Sequence, residues 1–578
     1  MSLRLVLNHY LASLRERDEL DVLLPELLEA MGHTVISRPQ VGVNQAGVDI
    51  VSTFAEDGAH EEVFLWVLKF GDVGRPALVA GPHAIEPSVR EACTDFAEHR
   101  LDAVRRALPK RVVVVSNGDL RQEAQALFTG LVDQIERHHR IRVEFWGASE
   151  LTPLIEEHLF DEALLLGPAK SDLRAALAGL EDTEAAVHRF VRFVDGCLTA
   201  TAEGELRTPA AHTRDFFRRC AAAAMGFGVL CVWGRTENNL KPGAIGGDYL
   251  ILRLWAAAAA RGLESEPAFV ERFMAVLGAH LDSLDKYFGK VREALLSPRE
   301  LVSYRPNHVF YTQLLFEELG RLATFLIALQ YLDAPAAPRK GALGFLREVL
   351  SAHVAWRRPV LDEQSIDLAL VCVALLRAGD DAVVRGAVQE WLHVLRWVLR
   401  KHEFLPVDSD LLEDAIATQI TRTAAPDAFF ENSSFVPMLG AVSALIGDEI
   451  LFTQVRELQP SLEGVTLERW WPSVALETFT GSGLNLTAVG VSQTLDGFRT
   501  TAAEEAIACR QPSEHAAARI DFRWRGTPAE MLVAVSARLH RHPVPTWFIS
   551  LAVEECARLR GMEPTPGGEG AGADVSAA

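Results

Sequence analysis

At 578 residues the chain is too long for a single hydrophobic core, and roughly two to four domains are expected. Its 57 Lys and Arg against 78 Asp and Glu leave a formal charge of −21, which excludes wholesale coating of nucleic acid, because phosphates demand Lys and Arg. Residues 1–165 share the bias, with 16 Lys and Arg against 27 Asp and Glu, so any DNA contact is expected to be local, metal-assisted or supplied by a partner.

The seven cysteines are scattered without a CxxC pair, which is neither a zinc pattern nor a disulfide framework and fits a reducing compartment. The first twenty residues carry charges too early for a signal peptide. The longest strongly apolar uncharged run, Cys220–Gly234, is too short to span a bilayer. The resulting expectation is a soluble, cytoplasmic chain with no membrane segment.

Within residues 3–31, Leu20, Leu23, Leu24, Leu27, Leu28 and Met31 recur at helical spacing, and Gly32 stops the helix. His33–Ser37 reads as a short strand. Val48–Thr53 and Val63–Phe70 flank a turn of Asp, Gly, Ala and His, the signature of a β-hairpin. Pro87–Ala107 reads as one amphipathic helix. Lys110–Ser116 (KRVVVVS) is a continuous apolar run of the kind buried on both faces. Leu120–His138 reads as a helix and Ile141–Trp146 as a second buried strand. Ala148–His158 reads as a helix with Ser149 as its cap. Helices alternating with apolar strands predict a mixed, partly parallel α/β sheet with helices on both faces over residues 1–167.

From Pro168 the strand signal fades. Helical patterns run over Leu173–Ala200, Thr213–Leu230, Tyr249–Arg261, Pro267–Leu296, Tyr311–Asp333, Gly341–Val354, Ser365–Arg377, Ala382–His402 and Leu411–Arg422. No fixed period joins them, so residues 168–455 are read as an irregular, solenoid-like helical array. Residues 456–560 read as mostly helical, interrupted by Trp470-Trp471-Pro472 and a glycine-rich stretch. Residues 561–578 read as a disordered tail. In Trp391–Lys401 the apolar residues fall at helical spacing, which predicts core packing rather than a nucleic-acid patch. His138-His139 and His540 with His542 lie among arginines without zinc spacing, and they read as solvated basic faces. Gly481–Gly490 and Gly234–Gly247 lack the lysine and spacing of a phosphate loop.

Three short features fall in a meaningful order. Asp21 precedes the helix-ending Gly32 by eleven positions, Gly47-Val48-Asp49 opens the hairpin, and Val67-Leu68-Lys69 ends its second strand. Over about residues 15–165 this order resembles the PD-(D/E)xK superfamily, the restriction-endonuclease-like fold, nearest its Mrr-type and Holliday-junction-resolvase branch. The resemblance implies a metal-dependent nuclease site. Asp49 with Asp21, or Glu26, would hold Mg²⁺ or Mn²⁺ to polarise a scissile phosphate and activate water. Lys69 would stabilise charge or orient the nucleophile. Asp49, Lys69 and Asp21 are thus the implied catalytic set, and Asp49, Asp21 and Glu26 the implied metal ligands. The sequence departs from the family pattern at Val67, where an acid or Gln belongs, and valine cannot ligate a metal. Glu62 and Asp72 lie nearby but off the pattern.

Two functions follow as expectations. The first is a nuclease-fold effector cleaving DNA, fused to a helical sensor as in prokaryotic antiviral defence proteins and needing a trigger or partner. The second is a catalytically degenerate nuclease-fold domain, with the helical array as a scaffold for a protein partner or a second copy.

Overall fold

The apolar runs of the first 160 residues become the strands of one sheet. The computed structural model describes residues 3–14, 20–37, 46–55, 60–80, 84–160, 167–199, 209–304, 307–400, 406–409, 411–423, 430–472, 490–511 and 530–561. Helices α1 (Leu3–Ser13) and α2 (Asp21–Ala30) precede strands β1 (Thr34–Ser37), β2 (Ile50–Phe54) and β3 (Glu62–Lys69). Helices α3 (Arg75–Val79), α4 (Ile85–Glu91) and α5 (Ala103–Ala107) lead to β4 (Lys110–Ser116). Then come α6 (Gln122–His139), β5 (Arg142–Trp146) and α7 (Ala148–His158). The sheet runs β1-β2-β3-β4-β5. The first two pairings are antiparallel and the last two parallel, which is the mixed α/β sheet that the sequence predicts. The hairpin turn at residues 56–59 lies outside the described residues.

Successive strand residues face opposite sides, so β3 feeds two apolar layers. Val63, Leu65 and Val67 join Val112 and Val114 of β4 under Ile85 and Val89 of α4 and Phe128, Leu131 and Ile135 of α6. On the other side Trp66 donates through Nε1 to Ser52 Oγ at 2.8 Å. His33, just after α2, has Nδ1 3.1 Å from the same oxygen. Its ring stacks on Phe54 at 4.7 Å. Burial, with Arg111 nearby, lowers the His33 pKa to about 4.

The segment read as one helix over Pro87–Ala107 is three pieces: α4, a π-helical stretch Ala92–Arg100, and α5. The break is a cap. Asp102 Oδ1 accepts from the Val104 and Arg105 amides at 3.0 and 2.9 Å, as an N-cap aspartate does. At α7 the cap expected at Ser149 is displaced: Gly147 is the N-cap, and its amide donates to Glu150 Oε2 at 2.8 Å. The Ser149 amide instead donates to Asp119 Oδ1 at 3.0 Å.

The chain divides into two compact units, Met1–Ser283 and Leu284–Ala578. Helices α8 (Gly167–Ala178), α9 (Thr183–Thr199), α10 (Pro209–Thr236), α11 (Lys241–Ala259) and α12 (Pro267–Leu296) follow the sheet. Packing carries the first unit past residue 167, because α10 meets α1 closely. A Cβ on Gly228 would come 2.8 Å from the Tyr10 ring, and one on Gly226 2.2 Å from Phe193 of α9. Among the described residues α10 is the one helix long and apolar enough to cross a membrane. Its apolar window is 67% buried inside the structure, as in a core helix.

The second unit is mostly helical. Helix Ser365–Leu376 is buried at every position, and its one charged residue, Asp367, accepts from Arg541 Nη2 at 3.0 Å. Just before it, the buried Asp362 caps helix Phe435–Leu445, accepting from the Ser434 amide at 2.7 Å and Ser433 Oγ at 2.8 Å. Of the residues at helical spacing, Leu392, Leu395 and Val398 are buried and Leu399 is half-buried.

The interruption of the helical pattern read at Trp470-Trp471-Pro472 is the end of strand β7 (Thr466–Pro472), which lies between β6 (Asn432–Ser433) and β8 (Gly490–Thr494). One expectation is corrected here. His542 is not on a solvated face: it is 1% exposed, stacks on Trp470 at 4.6 Å and lies 2.9 Å from Ser536 Oγ. Burial drives its pKa to about 3, so it is a neutral core histidine. Residues 473–489, which hold most of the glycine-rich stretch Gly481–Val491, and residues 562–578 of the tail lie outside the described residues.

His33 gives the fold a signed pH dependence. Its folded pKa is depressed below the unfolded value, so the unfolded chain binds the extra proton between about pH 6.5 and 4 and stability falls as pH drops through that window. His33→Phe keeps the aromatic stack and removes the titration. The variant is expected to lose stability less steeply than wild type in thermal melts between pH 7 and 4, and parallel slopes would refute this assignment.

Candidate metal-dependent nuclease site

The hairpin brings two motif residues to one end of the sheet. In β2–β3, Ile50 pairs with Trp66. The Asp49 amide donates to the Trp66 carbonyl at 2.8 Å, so Asp49 lies beside the Ile50–Trp66 pair at the end of the hairpin ladder. The Asp49 side chain turns back on the ladder, and Oδ2 accepts from the Leu68 amide at 2.7 Å. Lys69 donates through Nζ to Ser88 Oγ on α4 at 3.3 Å. Gly47 is needed by close approach. Its φ is +75°, and a Cβ there would lie 2.3 Å from the Ser88 carbonyl oxygen. Gly47 and Lys69 thus meet one residue, Ser88, which no motif spacing marks.

Val67 shares the Lys69 side of β3, as the two-residue strand period requires. It is fully buried, pairs with Val114 of β4, and belongs to the apolar layer under α4 and α6. The position at which the family pattern carries an acid is here part of the core.

The two helix carboxylates are engaged elsewhere. Glu26 Oε2 accepts from Arg272 Nε of α12 at 2.9 Å, and Glu29 shares the same guanidinium. Asp21 and Glu26 line a cavity of about 200 Å³ whose other walls are residues of α10, α11 and α12, together with Val22. Asp49, Val67 and Lys69 do not line it, and α2 contributes nothing to the apolar layer that holds Val67. The neighbouring acids are occupied too. Glu62 is paired with Arg111 at 2.9 Å, and Asp72 Oδ1 accepts from the Asp119 amide at 3.1 Å. Among the described residues no three His, Cys, Asp or Glu side chains are grouped to hold a metal ion. Asp49, Asp21 and Glu26 therefore do not form the ligand set that the resemblance implies.

No family model, curated protein or solved structure matches the chain.

The hairpin end can be tested by stability. Val67→Glu buries an unpaired carboxylate and is expected to destabilise the fold by several kcal/mol. Asp49→Ala orphans the Leu68 amide and is expected to cost about 1–3 kcal/mol, whereas Asp49→Asn keeps an acceptor and costs less. Chemical denaturation measures all three. A Val67→Glu variant as stable as wild type would contradict the buried placement.

Proposed function

We propose that this chain is a non-catalytic binding protein. Its N-terminal sheet is a degenerate nuclease-type domain, and its helical region serves as a scaffold for a protein partner or a second copy. The mixed sheet, antiparallel over β1-β2-β3 and parallel over β3-β4-β5 with α6 between its last two strands, supports the nuclease-type fold. The observation that carries the degenerate reading is Val67, fully buried in the apolar layer where the family pattern carries an acid. The bond from the Leu68 amide to Asp49 and the pairing of Glu26 with Arg272 support it as well, since each spends an implied ligand on structure. The charge of −21 points the same way, because DNA binding by most of this surface is disfavoured.

A second reading keeps a metal-dependent nuclease acting on DNA, as the effector of a defence-type protein. Asp49 and Lys69 favour it, since both lie at the same end of the β2–β3 hairpin.

The deciding experiment incubates the full chain with linear, circular and branched DNA and with RNA in the presence of Mn²⁺. The degenerate reading expects no cleavage by wild type. Metal-dependent cleavage that both Asp49→Asn and Lys69→Ala abolish would replace it with the nuclease reading.

A further inference from the structure

The cavity beside α2 has the make-up of a ligand site, and its case does not depend on the nuclease resemblance. Small side chains open it: Ala221 and Ala224 on α10 and Ala275 on α12 leave space that larger residues would fill. Leu254, Phe269, Phe273 and Val276 supply apolar wall. The aromatic wall is braced from behind. Phe269 and Phe273 stack with centroids 5.8 Å apart, and Trp255 meets Phe273 edge-on at 5.1 Å. Val22, Glu271 and Ala275 are exposed, so the space reaches solvent on that side.

Size and charge narrow the occupant. A dry apolar cavity of about 150 Å³ is enough to hold benzene. At about 200 Å³ this one accepts a ring with a short substituent. The lining carries three carboxylates, on Asp21, Glu26 and Glu271, and one guanidinium, on Arg272. That guanidinium is held by Glu26 and Glu29 and lies 4.7 Å above the Phe217 ring, so it is fixed as part of the wall. A carboxylate on a ligand would meet like charge here, and an ammonium group would meet opposite charge. We propose that the cavity bounded by α2, α10, α11 and α12 binds a small aromatic molecule carrying one cationic nitrogen.

Calorimetric titration of the full chain at pH 7 tests this with three compounds of similar shape: phenethylamine, its neutral counterpart 2-phenylethanol, and the anion 3-phenylpropanoate. Phenethylamine is expected to bind about ten-fold more tightly than the alcohol, with no measurable binding of the anion. Ala224→Leu and Ala275→Leu add bulk to the space from two of its lining helices, α10 and α12. Each is expected to weaken phenethylamine binding by about ten-fold or more while the circular dichroism spectrum is unchanged. Should one variant fail to fold, the other carries the test, and the ligand series on wild type stands by itself. Equal affinity for all three compounds, no binding of any of them, or unchanged affinity in the folded filled variants would overturn the proposal.

Discussion

Burial of the central strands on both faces is the constraint from which the rest of the first unit follows. β3 and β4 are parallel neighbours, and their inward residues are apolar on both sides. Val63, Leu65 and Val67 must therefore find cover on one face and Phe64 and Trp66 on the other. The α4–α6 layer covers the first set. The second set is organised around a shared hydroxyl, Ser52 Oγ, which accepts from Trp66 and meets His33. Once both layers are filled, position 67 has no route to solvent. A carboxylate there would be isolated in an apolar layer at a cost of several kcal/mol. The same packing that stabilises the sheet thus removes one metal ligand from the family pattern.

The helix acids are diverted in a comparable way. α2 covers the sheet only in part, and its Glu26 and Glu29 reach Arg272, which lies 246 and 243 residues away in the chain. A half-buried guanidinium between two carboxylates fixes α2 against α12, and removing one partner of such a cluster is destabilising. Carboxylates that the resemblance assigns to catalysis serve here to hold a helix and to line a cavity.

Much of the sheet was legible in the sequence, and the reasons are local. KRVVVVS and the short apolar runs Val48–Thr53 and Val63–Phe70 state their burial directly, and Gly32 takes the positive φ of a helix-ending glycine. The Asp102 cap was equally local, yet the amphipathic pattern of Pro87–Ala107 ran through it and hid the break. His542 and Trp470 were not legible, because their burial depends on each other across more than seventy residues. At the candidate site, strand spacing correctly put positions 67 and 69 on one side. No spacing rule could reveal that Lys69 would rest on Ser88, that the Leu68 amide would claim Asp49, or that Arg272 would claim Glu26. Those are tertiary choices, and each changes the chemical meaning of a residue whose type fits the family pattern.

The central claim is that the hairpin end is structural rather than a metal site. Calorimetric titration of Mn²⁺ into the full chain, beside the Asp49→Asn variant, tests it most directly. The account predicts no saturable binding that distinguishes the two proteins. Saturable Mn²⁺ binding by wild type that Asp49→Asn abolishes would contradict it.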